Sequence, residues 1–160
     1  MARNNSFLTR LSKLQKLHQK FPQMAAILAE RFSKERFIQK NWVDRSNSRW
    51  EPRKRESTGS LMAKSGRLKK SVRKLKVTRN SVTIGTDVPY AQIHNEGGTI
   101  HKTVNVRSHS RTRKGRGENV RSHTRKMNLK MPKRQFLGES AILQRRIERM
   151  LDKQIKQILK

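Results

Sequence analysis

The chain has no cysteine, only 11 acidic residues in 160, and few aromatics: two Trp, one Tyr and five Phe. Without cysteine there are no disulfides and no thiolate metal sites, which is compatible with assembly in a cytoplasm. No apolar run approaches the roughly 20 residues of a membrane span, so no membrane partner is expected. Residues 1–21 are basic and amphipathic and lack the continuous apolar stretch and small-residue cleavage site of a secretory signal. The apolar fraction is 32%, against about 45–50% in ordinary globular domains on a broad count. The chain can therefore bury only a modest core of its own, and part of its order is expected to come from neighbours that bind the folded form.

What is present in excess is positive charge. Forty Lys plus Arg give a formal net charge of +29 and a pI of about 11.8. Self-repulsion at that charge opposes a compact isolated monomer and favours polyanionic or acidic partners.

Apolar residues Phe7, Leu8, Leu11, Leu14, Leu17 and Phe21 recur every three or four positions, and Met24, Ile27, Leu28, Phe32 and Ile38 continue the pattern towards Trp42. This periodicity predicts two helices, or one bent at Pro22, over about 6–42. Residues 44–60 are polar and carry Pro52 and Gly59; they read as a linker or extended arm that Trp50 anchors to the body. A short helix is expected over Leu61–Leu68. Alternation over 72–79, a turn at Asn80-Ser81 and Val82–Gly85 predict a hairpin. Tyr90–His94 is a short apolar element and 95–98 a loop. Thr99–Val106 reads as a strand.

An internal echo follows, Val106-Arg107-Ser108-His109-Ser110-Arg111 returning as Val120-Arg121-Ser122-His123-Thr124-Arg125. The two copies flank a Gly-rich charged tip at 112–119, which predicts a long hairpin arm with a mobile end. A last helix is expected from about Phe136, with Leu143, Ile147, Leu151, Ile155 and Leu159 at every fourth position. The expected organisation is an N-terminal helical segment (1–43), the linker (44–60), an antiparallel β core (61–138) carrying a basic hairpin arm (101–130), and a C-terminal helix (139–160). The fold class is α+β, a small antiparallel sheet packed with N- and C-terminal helices.

The arm is the strongest chemical feature. From His101 to Gln135 there are twelve Lys or Arg and one acid, Glu118. Arg107, Arg111, Arg113, Lys114, Arg116, Arg121, Arg125 and Lys126 are the expected partner-contacting residues. Such density suits phosphate neutralisation with steep salt dependence, or docking on an acidic protein; the near-absence of aromatics argues against stacking on single-stranded bases. The five histidines show neither H-E-x-x-H spacing nor a close carboxylate cluster. His94-Asn95-Glu96, with His101 or His109 beyond, suggests a metal-dependent nuclease only faintly, because no helix carries a second ligand. No catalytic residue, metal site or cofactor is expected, and the chain does not read as an enzyme.

Four stretches, in order, resemble the Mu-like phage virion morphogenesis or tail-completion family. They are Trp50-Glu51-Pro52-Arg53, Ser65–Ser71 with Gly66 and Leu68, Tyr90–Gly98 with His94, Gly97 and Gly98, and Met131–Gly138 with Pro132, Arg134 and Phe136. Structural roles are expected of them: Gly66 for an abrupt entry from helix to strand, Tyr90 and Ile93 facing the core, and His94 bonded to a turn. Pro132 would stop a strand, Arg134 would clasp a carboxylate, and Phe136-Leu137 would open the last helix. The resemblance implies a structural virion protein that completes the tail or joins head to tail as a homo-oligomeric ring of six at the neck or tail top, assembled in the host cytoplasm. The implied partners are portal or connector, tail tube or tail terminator proteins, and packaged DNA. The extreme charge and the arm between Ile100 and Met131 depart from the family pattern. The alternative reading is a free-standing basic nucleic-acid-binding protein.

Overall fold

The computed structural model describes residues 2–54 and 58–160, with side chains from residue 6 onward, so residues 55–57 of the expected linker lie outside the described residues. The apolar stripe at the N-terminus forms one helix, α1 (Ala2–Gln39), which runs through Pro22. Proline there forgoes one backbone hydrogen bond. The helix stops short of Trp42 because Lys40 takes φ 54° and its N–H returns to the Arg36 carbonyl at 2.7 Å, a left-handed C-terminal cap. Its buried face is Leu17, Ala26, Phe32, Ser33, Arg36 and Phe37, whereas Ile27 and Ile38, expected on the stripe, are about 60% exposed. The polar Ser33 and Arg36 displace them from the core because both are tied to it by hydrogen bonds, Ser33 to Phe136 and Arg36 to Asn41.

Past the cap, β1 (Asn41–Val43) and β2 (Asn47–Arg49) form a short antiparallel hairpin, and Trp50 follows, 6% exposed. The expected helix at 61–68 is displaced to α2 (Arg67–Ser71); residues 60–63 make a tight turn instead. Then come β3 (Arg73–Val77) and β4 (Val82–Gly85), paired antiparallel. The loop between them is Arg79-Asn80, one residue earlier than expected, because Thr78 and Ser81 bond to each other across it. Leu75 is the extra residue between the Lys74 and Lys76 register pairs, so strict alternation breaks there. After α3 (Ala91–Glu96), a longer pair follows: β5 (Gly98–Val106) with β8 (His123–Met131), and at its far end β6 (His109–Arg113) with β7 (Arg116–Val120). The fold is α+β, and its strands are arranged as four two-stranded antiparallel pairs.

The last helix, α4 (Ala141–Leu159), begins five residues beyond Phe136. Ser140 caps it, accepting from Leu143 N–H at 3.2 Å and donating to the Val43 carbonyl at 2.7 Å. The Asp44 carboxylate accepts from Ala141 N–H, a bond that holds its pKa below the usual carboxylate range. The helix lies antiparallel to α1: Arg146 pairs with Glu35 at one end and Arg10 reaches the Lys160 carbonyl at the other. Leu143, Ile147, Leu151 and Ile155 are half-buried, Leu159 is exposed, and no α4 residue is fully buried. At 1.5 Å per residue α1 is about 57 Å long and α4 about 28 Å. The N-terminal end of α1 therefore overhangs, leaving Phe7 and Leu8 about 60% exposed.

The main core joins elements distant in sequence: Phe37, Trp50, Leu68, Val72, Val88, Ala91 and Phe136. Phe37 packs against Trp50 edge-on at 5.6 Å and against Phe136 at 5.0 Å. No helix among the described residues is long and apolar enough to cross a membrane. Gly97, between α3 and β5, has φ 77° and ψ −175°, a region open essentially to glycine, and an added Cβ would lie 2.9 Å from Lys133 N. Gly97→Ala is expected to lower unfolding free energy by about 1–3 kcal/mol in urea titration.

Candidate functional site

The four sequence stretches singled out above meet around one irregular segment, Arg134–Leu137. Such a buried segment outside any helix or ladder must find partners for its backbone polar groups elsewhere. Most are supplied by two of the other stretches, and one by α1. Trp50 Nε1 donates to the Gln135 carbonyl at 2.9 Å. The Asn95 amide oxygen accepts from both Phe136 and Leu137 N–H at 2.9 Å, while its nitrogen donates to the Leu137 carbonyl at 3.1 Å. Arg134 N–H donates to the His94 carbonyl at 2.8 Å, and the Ser33 hydroxyl of α1 donates to the Phe136 carbonyl.

Several expected roles change. Arg134 clasps no carboxylate: its guanidinium donates to the main-chain carbonyls of Glu51 and Pro52 at 3.0 and 3.2 Å. Burial pushes its pKa down, partly offset by the Glu51 charge, and a guanidinium remains charged throughout. Phe136-Leu137 does not start the last helix; fully buried Phe136 is a core plug. Gly66 leads from a loop into α2 with φ 71° rather than from helix to strand. Tyr90 is 41% exposed instead of core-facing, with its ring edge-on to His94 at 5.9 Å. Leu68 is buried as the core residue of α2, and Pro132 follows the end of β8.

His94 bonds the turn through its backbone, not its ring. Its Nδ1 is buried with no hydrogen-bond partner among the described groups. Burial, and secondarily the Arg134 charge, push its pKa below the ordinary 6.5. Asn95 is committed to the 136–137 backbone, and His101 and His109 lie out on the strands. The described residues hold no group of three His, Asp or Glu placed to bind a metal.

The arm is a ribbon of two ladders that keep one register. Its register pairs residues whose numbers sum to 229, from Gly98↔Met131 to Val106↔His123 and on from His109↔Val120 to Arg113↔Arg116. The expected loop at 112–119 is a two-residue turn, Lys114-Gly115, with φ 50° and 78°, the pairing that suits strand twist. The echo falls symmetrically across the ribbon: each copy's Val faces the other copy's His. The ladder breaks at Arg107-Ser108 and Arg121-Ser122, where His109 Nδ1 meets the Arg107 carbonyl at 3.0 Å and His123 Nδ1 the Arg121 carbonyl at 2.9 Å.

The eight basic residues do not form one patch. Arg107 and Arg121 sit in the breaks, Arg111 is paired with Glu118 at 3.0 Å, Arg113 faces Arg116, and Lys114 occupies the turn. Arg125 and Lys126, adjacent on β8, point to opposite faces. Sequence reasoning missed the Asn95 clamp, whose only signal was its place beside His94. It also missed the distribution of apolar residues on the ribbon, which needs the register.

What converges here is a hydrogen-bonded scaffold carrying an exposed basic ribbon, the anatomy of a structural subunit. The chain belongs to the phage virion morphogenesis family, whose model matches residues 3–156. Its role is accordingly structural, in assembly of the phage particle. No curated protein and no solved structure matches it significantly.

Asn95→Ala strips the partner from the Phe136 and Leu137 N–H groups and leaves the Leu137 carbonyl only its Gln135 bond; it should lower stability by about 2–3 kcal/mol, with Asn95→Asp falling between it and wild type, and chemical denaturation checks the order. The depressed His94 pKa means that the unfolded chain binds the proton more readily than the folded one. Stability should be full above pH 6.5 and decline as pH falls through the folded pKa. Melting curves between pH 8 and 5 should show this decline, and His94→Gln should flatten it.

Proposed function

We propose that the chain is a ring-forming subunit at the neck or top of a phage tail, where it completes the tail or joins it to the head. Its work is binding, with no catalytic step. The observation that carries this reading is apolar surface left uncovered on two different elements of a chain with net charge +29. Phe7 and Leu8 stand out on the α1 overhang with Leu11 beside it, and Ile100, Met127 and Leu129 on the ribbon. Large apolar side chains grouped on a surface mark association sites. Two unlike surfaces on one chain suit a subunit that holds more than one kind of neighbour, as a member of a ring at the junction of two structures must, and six copies would match tail symmetry. Portal or connector, tail tube and tail terminator proteins are the proposed neighbours, with packaged DNA within reach of the basic turn.

A free-standing nucleic-acid-binding protein would have little use for these apolar rows, and membership of a virion family favours the particle. Two experiments test the assignment. The chain should sediment with nuclease-treated particles, at the neck when imaged; release by nuclease would instead favour the free-standing binder. Replacing residues 107–122 with Asn-Gly, which joins the paired Val106 and His123, should leave the melting temperature within a few degrees of wild type yet reduce infectious titre at least tenfold. Unfolding of that variant would make the outer ribbon part of the core.

A further inference from the structure

The register of β5 and β8 sorts their side chains onto two unlike faces, since cross-strand partners share a face. One face carries Thr99, His101, Thr103 and Asn105 opposite Lys130, Asn128, Lys126 and Thr124, all polar, with His101 Nδ1 bonded to Asn128 at 2.8 Å. The other carries Ile100 opposite Leu129, Lys102 opposite Met127, Val104 opposite Arg125, and Val106 opposite His123. Ile100, Met127 and Leu129 are 36%, 39% and 50% exposed. The ribbon is two-stranded, with no third strand along either edge among the described residues.

We infer that this face of the ribbon docks on a partner protein whose contact surface is apolar along its middle and acidic at its margins. The inference rests on the neck reading and names what the ribbon grips there. A DNA backbone offers phosphates and sugars, and an arm built for it needs cations alone; a row of Ile, Val, Met and Leu adds nothing to that contact. Charge then selects among proteins. Lys102 and Arg125 stand within the apolar row, and Lys126 and Lys130 lie behind it. Carboxylates on the partner would complement them, and steer its approach. A second copy of the chain is the poorer match: it has 11 acids to 40 bases, and Glu30, Glu35, Asp87 and Glu118 already pair with the chain's own cations.

The test uses the full chain and particles made without it. Wild type, the combined variant Ile100→Thr/Met127→Thr/Leu129→Thr, and the turn variant Arg113→Ser/Lys114→Asn/Arg116→Ser are each added to these particles and sedimented at rising salt. Threonine keeps strand propensity, and none of the three positions belongs to the core, so melting temperatures should match wild type. If the threonine variant melts early, Leu129→Thr alone replaces it. Wild type and the turn variant should stay bound in about 0.5 M salt and after nuclease, while the threonine variant binds at least tenfold less. Equal binding by the threonine variant overturns the inference and leaves the neck reading standing. Nuclease release, or a steep salt dependence shared by wild type and the threonine variant, assigns the face to DNA and overturns it. A wild-type oligomer in the absence of particles that the threonine variant cannot form assigns it to a second copy and overturns it too. Failure of wild type to bind any particle sinks the neck reading and this inference together.

Discussion

The fold depends on satisfying the backbone of Arg134–Leu137, a segment that is buried but neither helix nor strand. Arg134 and Phe136 are buried and Gln135 and Leu137 half-buried, so the segment's polar groups depend largely on protein partners. Asn95 meets three of them with one side chain, and Trp50, Ser33 and the His94 carbonyl meet others. Phe136 is thereby held at 0% exposure against Phe37 and Trp50. Through this one segment α1, the β1–β2 hairpin, α3 and the approach to α4 are fixed to each other. The segment also anchors the ribbon, because β8 runs directly into it.

The excess charge shapes what surrounds this hub. Acids are scarce, and several are placed where they hold elements together: Glu35 beside Arg146 and Arg36, Asp44 at the first turn of α4, Glu118 across the ribbon. At the α1–α4 contact the guanidiniums of Arg36 and Arg146 both lie over the Phe32 ring, at 4.6 and 5.3 Å, where the π face accommodates cations. Most other cations are solvated. The molecule has a small core well tied by polar bonds and a surface of like charges that repel one another.

Much of this was legible in the residues. Periodicity located α1, the β3–β4 hairpin, β5 and α4, and the echo located the ribbon; each is a local pattern in a continuous stretch. Three kinds of feature were not legible. Boundaries moved where a single backbone conformation decides them, as at Lys40, or where side chains close a turn, as Thr78 and Ser81 do. Partners of polar groups were misassigned because they depend on tertiary neighbours: Arg134 looked suited to a carboxylate, and the carbonyls of Glu51 and Pro52 were the groups within reach. The unlike faces of the ribbon emerged only with its register, since no strand read alone shows which residues stand beside Ile100 or Val104. The charge count made the arm look uniformly basic when the apolar residues of β5 and β8 are gathered on one side.

The alternation of faces also limits how the ribbon can vary in length. Inserting one residue in either strand would turn every side chain beyond it to the opposite face. Growth or trimming that keeps Ile100, Val104, Met127 and Leu129 aligned must add or remove residues in matched twos on both strands. Each such step changes reach by about 7 Å. The length of the ribbon is thus graduated: its reach is adjustable only in discrete increments, whatever sequence fills it.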